Sequence, residues 1–184
     1  TVAKNGDLHG HNTDAFGFAQ NLKETIPDFD WNGSTATVIG AGGAARAVLY
    51  ALQKNAVGDI RLTNRTRESA EKLGAAYGAT IMDWDDRNAS VAGADLIINT
   101  TSLGMKGQDA LDIDLSGITD QTIVYDIVYT PLITPLLQQA QDKGARVVTG
   151  IGMLLHQARP GFEAWFGQFP DVAKELEAFI LTGK

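Results

Sequence analysis

A glycine-rich segment at residues 40–45 constrains the fold of this chain more than any other feature. It runs Gly-Ala-Gly-Gly-Ala-Ala, directly after a β-branched apolar run at 35–39 and before an Ala- and Leu-rich stretch at 44–54. Strand, glycine turn and helix in this order match the G-x-G-x-x-G/A fingerprint of dinucleotide-binding folds, with Ala45 in the third position. The alternative is a turn that only joins strand to helix. A second predicted strand at 59–63, where the fingerprint requires one, favours ligand binding.

The turn has the residues that a pyrophosphate site needs. Glycine at position 40 permits a tight turn, and glycine at position 42 lets the backbone come close to a phosphate. The unpaired amides at the start of the following helix then face the phosphates, assisted by the helix dipole. The candidate phosphate-binding residues are Gly40, Ala41, Gly42, Gly43 and Ala44.

The rest of the chain alternates short apolar runs with helical patterns. We predict further strands at 95–99, 122–126 and 146–148, and helices at 13–25, 68–77, 135–143, 151–165 and 172–181. Pro160 should kink or break the helix at 151–165. Alternating strands and helices indicate an α/β fold of the Rossmann type, a doubly wound parallel sheet with helices on both faces. At 184 residues, the chain suits a single domain spanning 1–184.

The end of the second predicted strand indicates which dinucleotide binds. An NAD site has an acidic residue about 20 positions beyond the glycine turn, which accepts the ribose hydroxyl. Here the segment at 63–67 runs Thr-Asn-Arg-Thr-Arg and has no acid. Arg65 and Arg67 offer guanidinium groups for a 2′-phosphate, and Asn64 and Thr66 offer neutral hydrogen bonds. The alternative is a solvated basic loop with no ligand. However, the segment at 63–67 lies where the adenosine ribose of a bound dinucleotide must lie, and this position predicts NADP(H).

Composition excludes several other classes of function. Apolar residues make up 44% of the chain and charged residues 20%, as in ordinary globular domains. A net charge of −7 argues against nucleic acid or an anionic membrane as a partner. The chain has no cysteine, which removes disulfides and thiolate chemistry and fits a cytoplasmic setting. His9, His11 and His156 lack the spacing of metal ligands, so we expect surface or supporting roles and no metal.

Several segments together resemble the shikimate dehydrogenase family. The segment at 10–14 is similar to the family's G-x-N-T-D motif, and the glycine turn and the Asn-Arg-Thr at 64–66 are similar to its NADP motifs. The segments at 99–105, 129–135 and 150–158 resemble its N-x-T-x-x-G-M, Y-x-P-x-x-T-P and G-x-G-M-L-x-x-Q-A motifs. These matches follow the family's order over nearly the whole chain, which makes them specific as a set.

This resemblance implies an activity and a domain arrangement. The family reduces 3-dehydroshikimate to shikimate with NADPH, in aromatic amino-acid biosynthesis, using an N-terminal substrate domain and a C-terminal cofactor domain. The chain corresponds to the cofactor domain at 31–184, preceded by a linker helix within 1–30. The absent substrate domain carries the family's catalytic lysine, so neither Lys4 nor any other lysine here is given that role. The small-molecule substrate, shikimate or 3-dehydroshikimate, would bind with the help of the missing N-terminal domain; the resemblance leaves the oligomeric state open.

The resemblance also implies roles for individual residues. Asp14 would be a catalytic and substrate-binding carboxylate paired with the missing lysine, although an acid in a first helical turn is also favoured by the helix dipole. Tyr129 and Gln157 would bind substrate. Further residues would contact the cofactor, with Gly150 beside the carboxamide and two apolar side chains on the nicotinamide ring: Ser69, Thr100, Ile127, Gly150 and Met153. The family often has a basic residue where Ser69 stands, and Arg67 is the candidate replacement.

Other functions share part of this pattern. Glutamyl-tRNA reductases and methylene-tetrahydrofolate dehydrogenases have a similar nucleotide module, but we do not expect them to share both the 12–14 and the 153–157 segments. A quinate/shikimate dehydrogenase is nearer, and the sequence separates it poorly from a shikimate dehydrogenase. A non-catalytic NADP-binding module is the alternative from a different class.

Overall fold

A computed structural model describes residues 6–183, so residues 1–5 and 184, including Lys4, lie outside the description. Within the described part of the chain, one sheet of six parallel strands has the order β3-β2-β1-β4-β5-β6. The strands are β1 (Thr35–Ile39), β2 (Asp59–Thr63), β3 (Thr80–Met82), β4 (Leu96–Asn99), β5 (Ile123–Asp126) and β6 (Arg146–Val148). This arrangement confirms the predicted Rossmann-type fold.

The helices alternate with the strands along the chain. They are α1 (Asp14–Thr25), α2 (Gly43–Lys54), α3 (Arg67–Tyr77), α4 (Arg87–Ser90), α5 (Pro135–Asp142), α6 (Gly150–Phe166) and α7 (Lys174–Thr182). Gly78 ends α3 in the left-handed conformation with φ of 69°. The hydroxyl of Thr134 caps α5 by accepting a hydrogen bond from the Leu137 amide.

Pro160 does not break α6, which continues for 17 residues from Gly150 to Phe166. Proline removes one backbone donor, and a helix held by tertiary packing can tolerate that loss. The first half of α6 buries Ile151 and Leu155, and the rings of Phe162 and Phe166 lie 4.5 Å apart beyond the proline. The prediction of a break at Pro160 is therefore wrong, while a kink there stays a prediction.

Two short elements, β3 and α4, escaped the sequence prediction. β3 has three residues at the edge of the sheet, none of them fully buried, so it carries no alternating apolar pattern. Its register pairs Met82 with Thr63 at the end of β2. The residue after β3, Asp83, is therefore beside the segment at 63–67 that was predicted to hold the 2′-phosphate.

The core lies on both faces of the sheet, because successive strand residues point in opposite directions. Val38 and Ile98 face one side, where they join Phe18 and Leu22 of α1. Ile39 and Ile97 face the other side. There they pack with α5 and with the connection between β4 and β5, which contributes Leu111, Ile113 and Leu115. Helix α1 is thus part of the hydrophobic core of the domain.

Within residues 6–183, none of the helices combines the length and apolar character needed to span a membrane.

Candidate functional site

The glycine turn lies where the strand order of the sheet reverses. β1 pairs with β2 on one side and with β4 on the other, and the crevice at such a switch point is where open α/β sheets bind ligands. Gly40 has φ of +106°, and a Cβ atom there would come within 2.7 Å of the Thr100 hydroxyl oxygen. Conformation and contact therefore both require glycine at this position. The structure brings Gly40 and Thr100, both predicted cofactor residues, into contact.

The start of α2 forms an open cradle. Gly42 is the N-cap residue and offers no side chain to cap the first-turn amides, which have no acceptor within the helix. Cβ atoms placed on Gly42 or Gly43 would meet no atom within 4 Å. A cavity of about 340 Å³ adjoins the turn, lined by Gly40, Ala41 and Gly42. The space and the free donors fit a pyrophosphate.

Asn64 joins the glycine turn to the end of β2. Its Oδ1 accepts a hydrogen bond from the Ala41 amide at 3.1 Å, and its Nδ2 donates to the Thr66 carbonyl at 2.8 Å. Both ends of the side-chain amide are thus used to hold backbone. Asn64 fixes the position of Arg65 relative to the turn, a role that the sequence motif alone did not indicate.

A second cavity, of about 360 Å³, lies beyond Asn64 and is lined by Arg65 and Arg67. Arg67 Nε donates to Glu71 Oε1 at 2.7 Å, and Arg67 also makes an ion pair with Asp83. The hydrogen bond to Glu71, followed by the hydrogen bond and the charge of Asp83, raises the pKa of the Arg67 guanidinium above its usual value. Arg65 makes no ion pair with any residue that the structure describes.

Trp84 lines both of these cavities and was not identified from the sequence. It follows the edge strand β3, and the Arg87 guanidinium lies 5.1 Å from its ring centroid. The two cavities also share Asn64 and Arg65. They are adjoining parts of one trough along the carboxyl edge of the sheet.

A third cavity, of about 340 Å³, continues this trough toward β5, because it shares Thr100 with the cavity at the turn. Two predicted residues, Ile127 and Tyr129, line it, and Tyr129 is 39% exposed. Gly150 lies against the backbone of Ile127, since a Cβ atom there would come within 2.1 Å of the Ile127 carbonyl oxygen. Met153 is 7% exposed and belongs to the core, so its contact with a nicotinamide ring stays a prediction.

A buried polar network supports the floor of this region. Asp126, at the end of β5, is fully buried. Its Oδ1 accepts hydrogen bonds from Asn99 Nδ2 and the Val128 amide, both at 3.0 Å, and its Oδ2 accepts from the Thr134 hydroxyl at 2.6 Å. Burial raises the pKa of the Asp126 carboxyl, and these hydrogen bonds partly oppose the rise. Sequence reasoning missed this network, although Asn99 and Thr134 fall within the motifs it identified.

The three predicted substrate residues do not line one cavity. Tyr129 lines the cavity near β5 and Asp14 lines neither cavity, whereas Gln157 lines a cavity of about 910 Å³ between the start of α1 and the face of α6. Asn12, Thr13 and Gln157 line it together with Trp165. Asp14 begins α1, and its backbone amide donates to Asn12 Oδ1 at 2.8 Å. The packing of α1 on α6 thus places the N-T-D segment and Gln157 at one end of the domain.

The buried His156 supports this helix pair. It is 3% exposed, its Nε2 lies 3.2 Å from Glu24 Oε2, and its Nδ1 lies 3.2 Å from Arg159 Nη1. An arginine N–H can only donate, so Nδ1 is the acceptor and Nε2 carries the proton. Burial lowers the pKa of His156, and Arg159 adds to this while Glu24 opposes it. No group of acidic or histidine side chains among residues 6–183 is arranged to hold a metal ion.

Comparison with known proteins agrees with this arrangement. The sequence model of the Shikimate / quinate 5-dehydrogenase family matches residues 21–107. A shikimate dehydrogenase (NADP(+)) from Paramagnetospirillum magneticum is 51% identical over 183 residues, which is 98% of this chain and 66% of that protein. The chain thus spans just under two thirds of the length of this relative.

Two solved structures have the same fold. A quinate dehydrogenase from Corynebacterium glutamicum in complex with NAD superposes with a TM-score of 0.87 at 30% identity, covering 98% of this chain and 66% of that one. Shikimate 5-dehydrogenase from Thermus thermophilus, in complex with NADP(H) and shikimate, gives 0.77 at 34% identity, covering 90% and 60%. With motifs, topology and sequence in agreement, this chain belongs to the shikimate dehydrogenase family.

Proposed function

We propose that this chain is the cofactor-binding domain of an NADP-dependent shikimate dehydrogenase, which reduces 3-dehydroshikimate to shikimate. One observation carries the proposal. The three adjoining cavities form a continuous trough at the carboxyl edge of the sheet, from Arg65 past the open glycine turn to Tyr129. A trough with two arginines at one end, an amide-lined centre and an apolar end suits an extended dinucleotide phosphate.

The residues of the trough match the parts of NADP in order. The unpaired amides at the start of α2 would hold the pyrophosphate, and Arg65 would bind the 2′-phosphate. The region of Ile127 and Tyr129 would hold the nicotinamide. The segment at 63–67 contains no acid that could accept a ribose hydroxyl, and the Paramagnetospirillum relative carries NADP(+) in its name. When bound, NADPH would supply a hydride to the substrate carbonyl.

The cavity beside α1 and α6 is the proposed edge of the substrate site. Gln157 would donate a hydrogen bond to a substrate hydroxyl, and Asp14 would help to handle the proton that the new alkoxide takes up. By the family resemblance, the partner lysine of Asp14 belongs to a substrate domain outside this chain. The chain spans only 66% of its Paramagnetospirillum relative, and we therefore propose that it binds the cofactor but does not turn over substrate alone. A cytoplasmic location is proposed with this biosynthetic role.

Calorimetric titration of the chain with NADP+ and NAD+ tests the cofactor proposal. We expect NADP+ to bind at least about tenfold more tightly, which corresponds to about 1.4 kcal/mol. The two cofactors differ only in the 2′-phosphate, so the ratio isolates that group. Equal dissociation constants would refute NADP selectivity, and no binding of either cofactor would refute the proposed function.

A fusion protein tests the activity. The part of the Paramagnetospirillum relative that this chain does not match would be joined to the chain, and oxidation of shikimate and of quinate would be followed by NADPH absorbance. We expect the fusion, but not the chain alone, to oxidise shikimate. Faster turnover of quinate would favour the alternative of a quinate dehydrogenase, which the fold shared with the Corynebacterium enzyme supports. Turnover by the unfused chain would show that the domain assignment is wrong.

A further inference from the structure

The cavity proposed for the 2′-phosphate contains as many acids as bases. Its charged lining residues are Arg65 and Arg67 on one side and Asp83 and Asp85 on the other. Their formal charges cancel, although the motif at 63–67 considered alone is strongly basic. The acids come from the segment after β3, which the register between Met82 and Thr63 aligns with the end of β2.

The two arginines are not equivalent. Asp83 and Glu71 both engage the Arg67 guanidinium, so a phosphate that used Arg67 would compete with two carboxylates that are already in place. Arg65 has no ion pair among the described residues. The side chains of Arg67 and Asp83 are 54% and 57% exposed, so solvent weakens their ion pair and the pair can exchange partners.

We infer that Asp83 is a specificity-determining residue that restrains Arg67 and so limits the preference for NADP over NAD. The inference rests on the proposed cofactor site and adds to it a residue, Asp83, that weakens the binding of NADP. In binding, Arg67 would have to leave or share Asp83 before it could contact the 2′-phosphate. NAD carries a hydroxyl at this position, so its binding does not require Arg67 to leave Asp83.

The test compares Asp83→Asn with the unmodified chain by calorimetric titration with NADP+ and NAD+. Asparagine keeps the size of the side chain and removes its charge. We expect NADP+ to bind about fivefold more tightly to the variant at low salt, and the gain to shrink as salt rises. The affinity for NAD+ should change less than about twofold, because an effect confined to the 2′-phosphate leaves NAD+ untouched.

Asp59→Asn is the matched control. Asp59 also pairs with an arginine, Arg61, at 3.0 Å, but it lies at the opposite end of β2. The same change in net charge there should leave NADP+ affinity unaltered. An equal gain from Asp59→Asn would mean that net charge, and not the local pair, sets the affinity, and it would overturn the inference.

A second comparison tests whether Asp83 acts through Arg67. In an Arg67→Ala background, Asp83→Asn should lose most of its gain, and a gain that persists in full would overturn the inference. The inference fails separately from the proposed function. Binding of NADP+ to the unmodified chain with no tightening by Asp83→Asn refutes only the role of Asp83, whereas absence of NADP+ binding to any variant refutes the cofactor site itself.

Discussion

Gly17 of α1 lies directly against Gln157 of α6. A Cβ atom placed on Gly17 would come within 2.8 Å of the Gln157 Cβ atom and within 2.6 Å of the Met153 carbonyl oxygen. The absence of a side chain lets the two helices approach closely. Asp14 lies three residues before Gly17, so this contact places it at the same end of the domain as Gln157. The two predicted substrate residues are far apart in sequence and are brought to one end by the packing of α1 on α6.

We expect Gly17→Ala to destabilise the domain by about 1–3 kcal/mol, because the added methyl group would overlap backbone that cannot move freely. The midpoint of urea unfolding measures the effect. Gly161→Ala in α6 is the control, since a Cβ atom there would meet only Trp165, at 3.9 Å. This control should be neutral or stabilising by up to about 1 kcal/mol. A loss of equal size in both variants would contradict the close contact at Gly17.

Asp14→Asn in the active fusion protein should lower kcat by about 10²–10⁴-fold, as expected for a group that handles a proton. NADP+ affinity should stay within about twofold, because Asp14 follows two residues that line the α1–α6 cavity and does not itself line the cavity at the glycine turn. Asp120→Asn, at an exposed position, is the control and should leave kcat unchanged. Intact kcat in Asp14→Asn with a lowered melting temperature would identify Asp14 as a helix-stabilising charge only.

The two arginines at the end of β2 should contribute unequally to NADP+ binding. Arg65→Ala should weaken NADP+ binding by about tenfold or more, because its guanidinium makes no ion pair with residues 6–183 and is available to the 2′-phosphate. Arg67→Ala should cost less than about threefold, since Asp83 and Glu71 already engage that side chain. Calorimetry with NAD+, which should respond to neither change, supplies the control. A larger loss from Arg67→Ala would show that this residue carries the phosphate contact.

The buried His156 should make stability depend on pH. Its pKa is lowered in the folded state, chiefly by burial, so the unfolded state takes up a proton first as pH falls below about 6.5. Stability that is fully present above this pH is therefore lost progressively on acidification. We expect the free energy of unfolding to fall between pH 7.5 and pH 5.5, and to fall less in His156→Gln.

His11→Gln, at an exposed position, is the matched control for His156. This variant should keep the full loss of stability between pH 7.5 and pH 5.5, because the substitution leaves the buried His156 imidazole in place. Glu24 and Arg159 face His156 and are unaltered in both variants. An unchanged slope in His156→Gln would show that other groups cause the pH dependence.

The sequence by itself determined the frame of this protein. Glycines at a strand end, apolar runs of strand length and the cap at Thr134 act locally, over a few residues, and each was predicted correctly. The parallel direction of the strands follows from the alternation of strands and helices, because a helical crossover connects strands that run the same way. The family motifs then indicated the cofactor class from residues that lie close together along the chain.

Only the tertiary structure decided which distant groups meet. Nothing in the local sequence indicates that β3 pairs with β2 and brings Asp83 to Arg67, because a three-residue edge strand has no pattern of its own. The same holds for Asp126, whose partners Asn99 and Thr134 come from separate segments. Local patterns fix conformations over a few residues, whereas the charge and the hydrogen bonding of a site depend on side chains that only packing brings together.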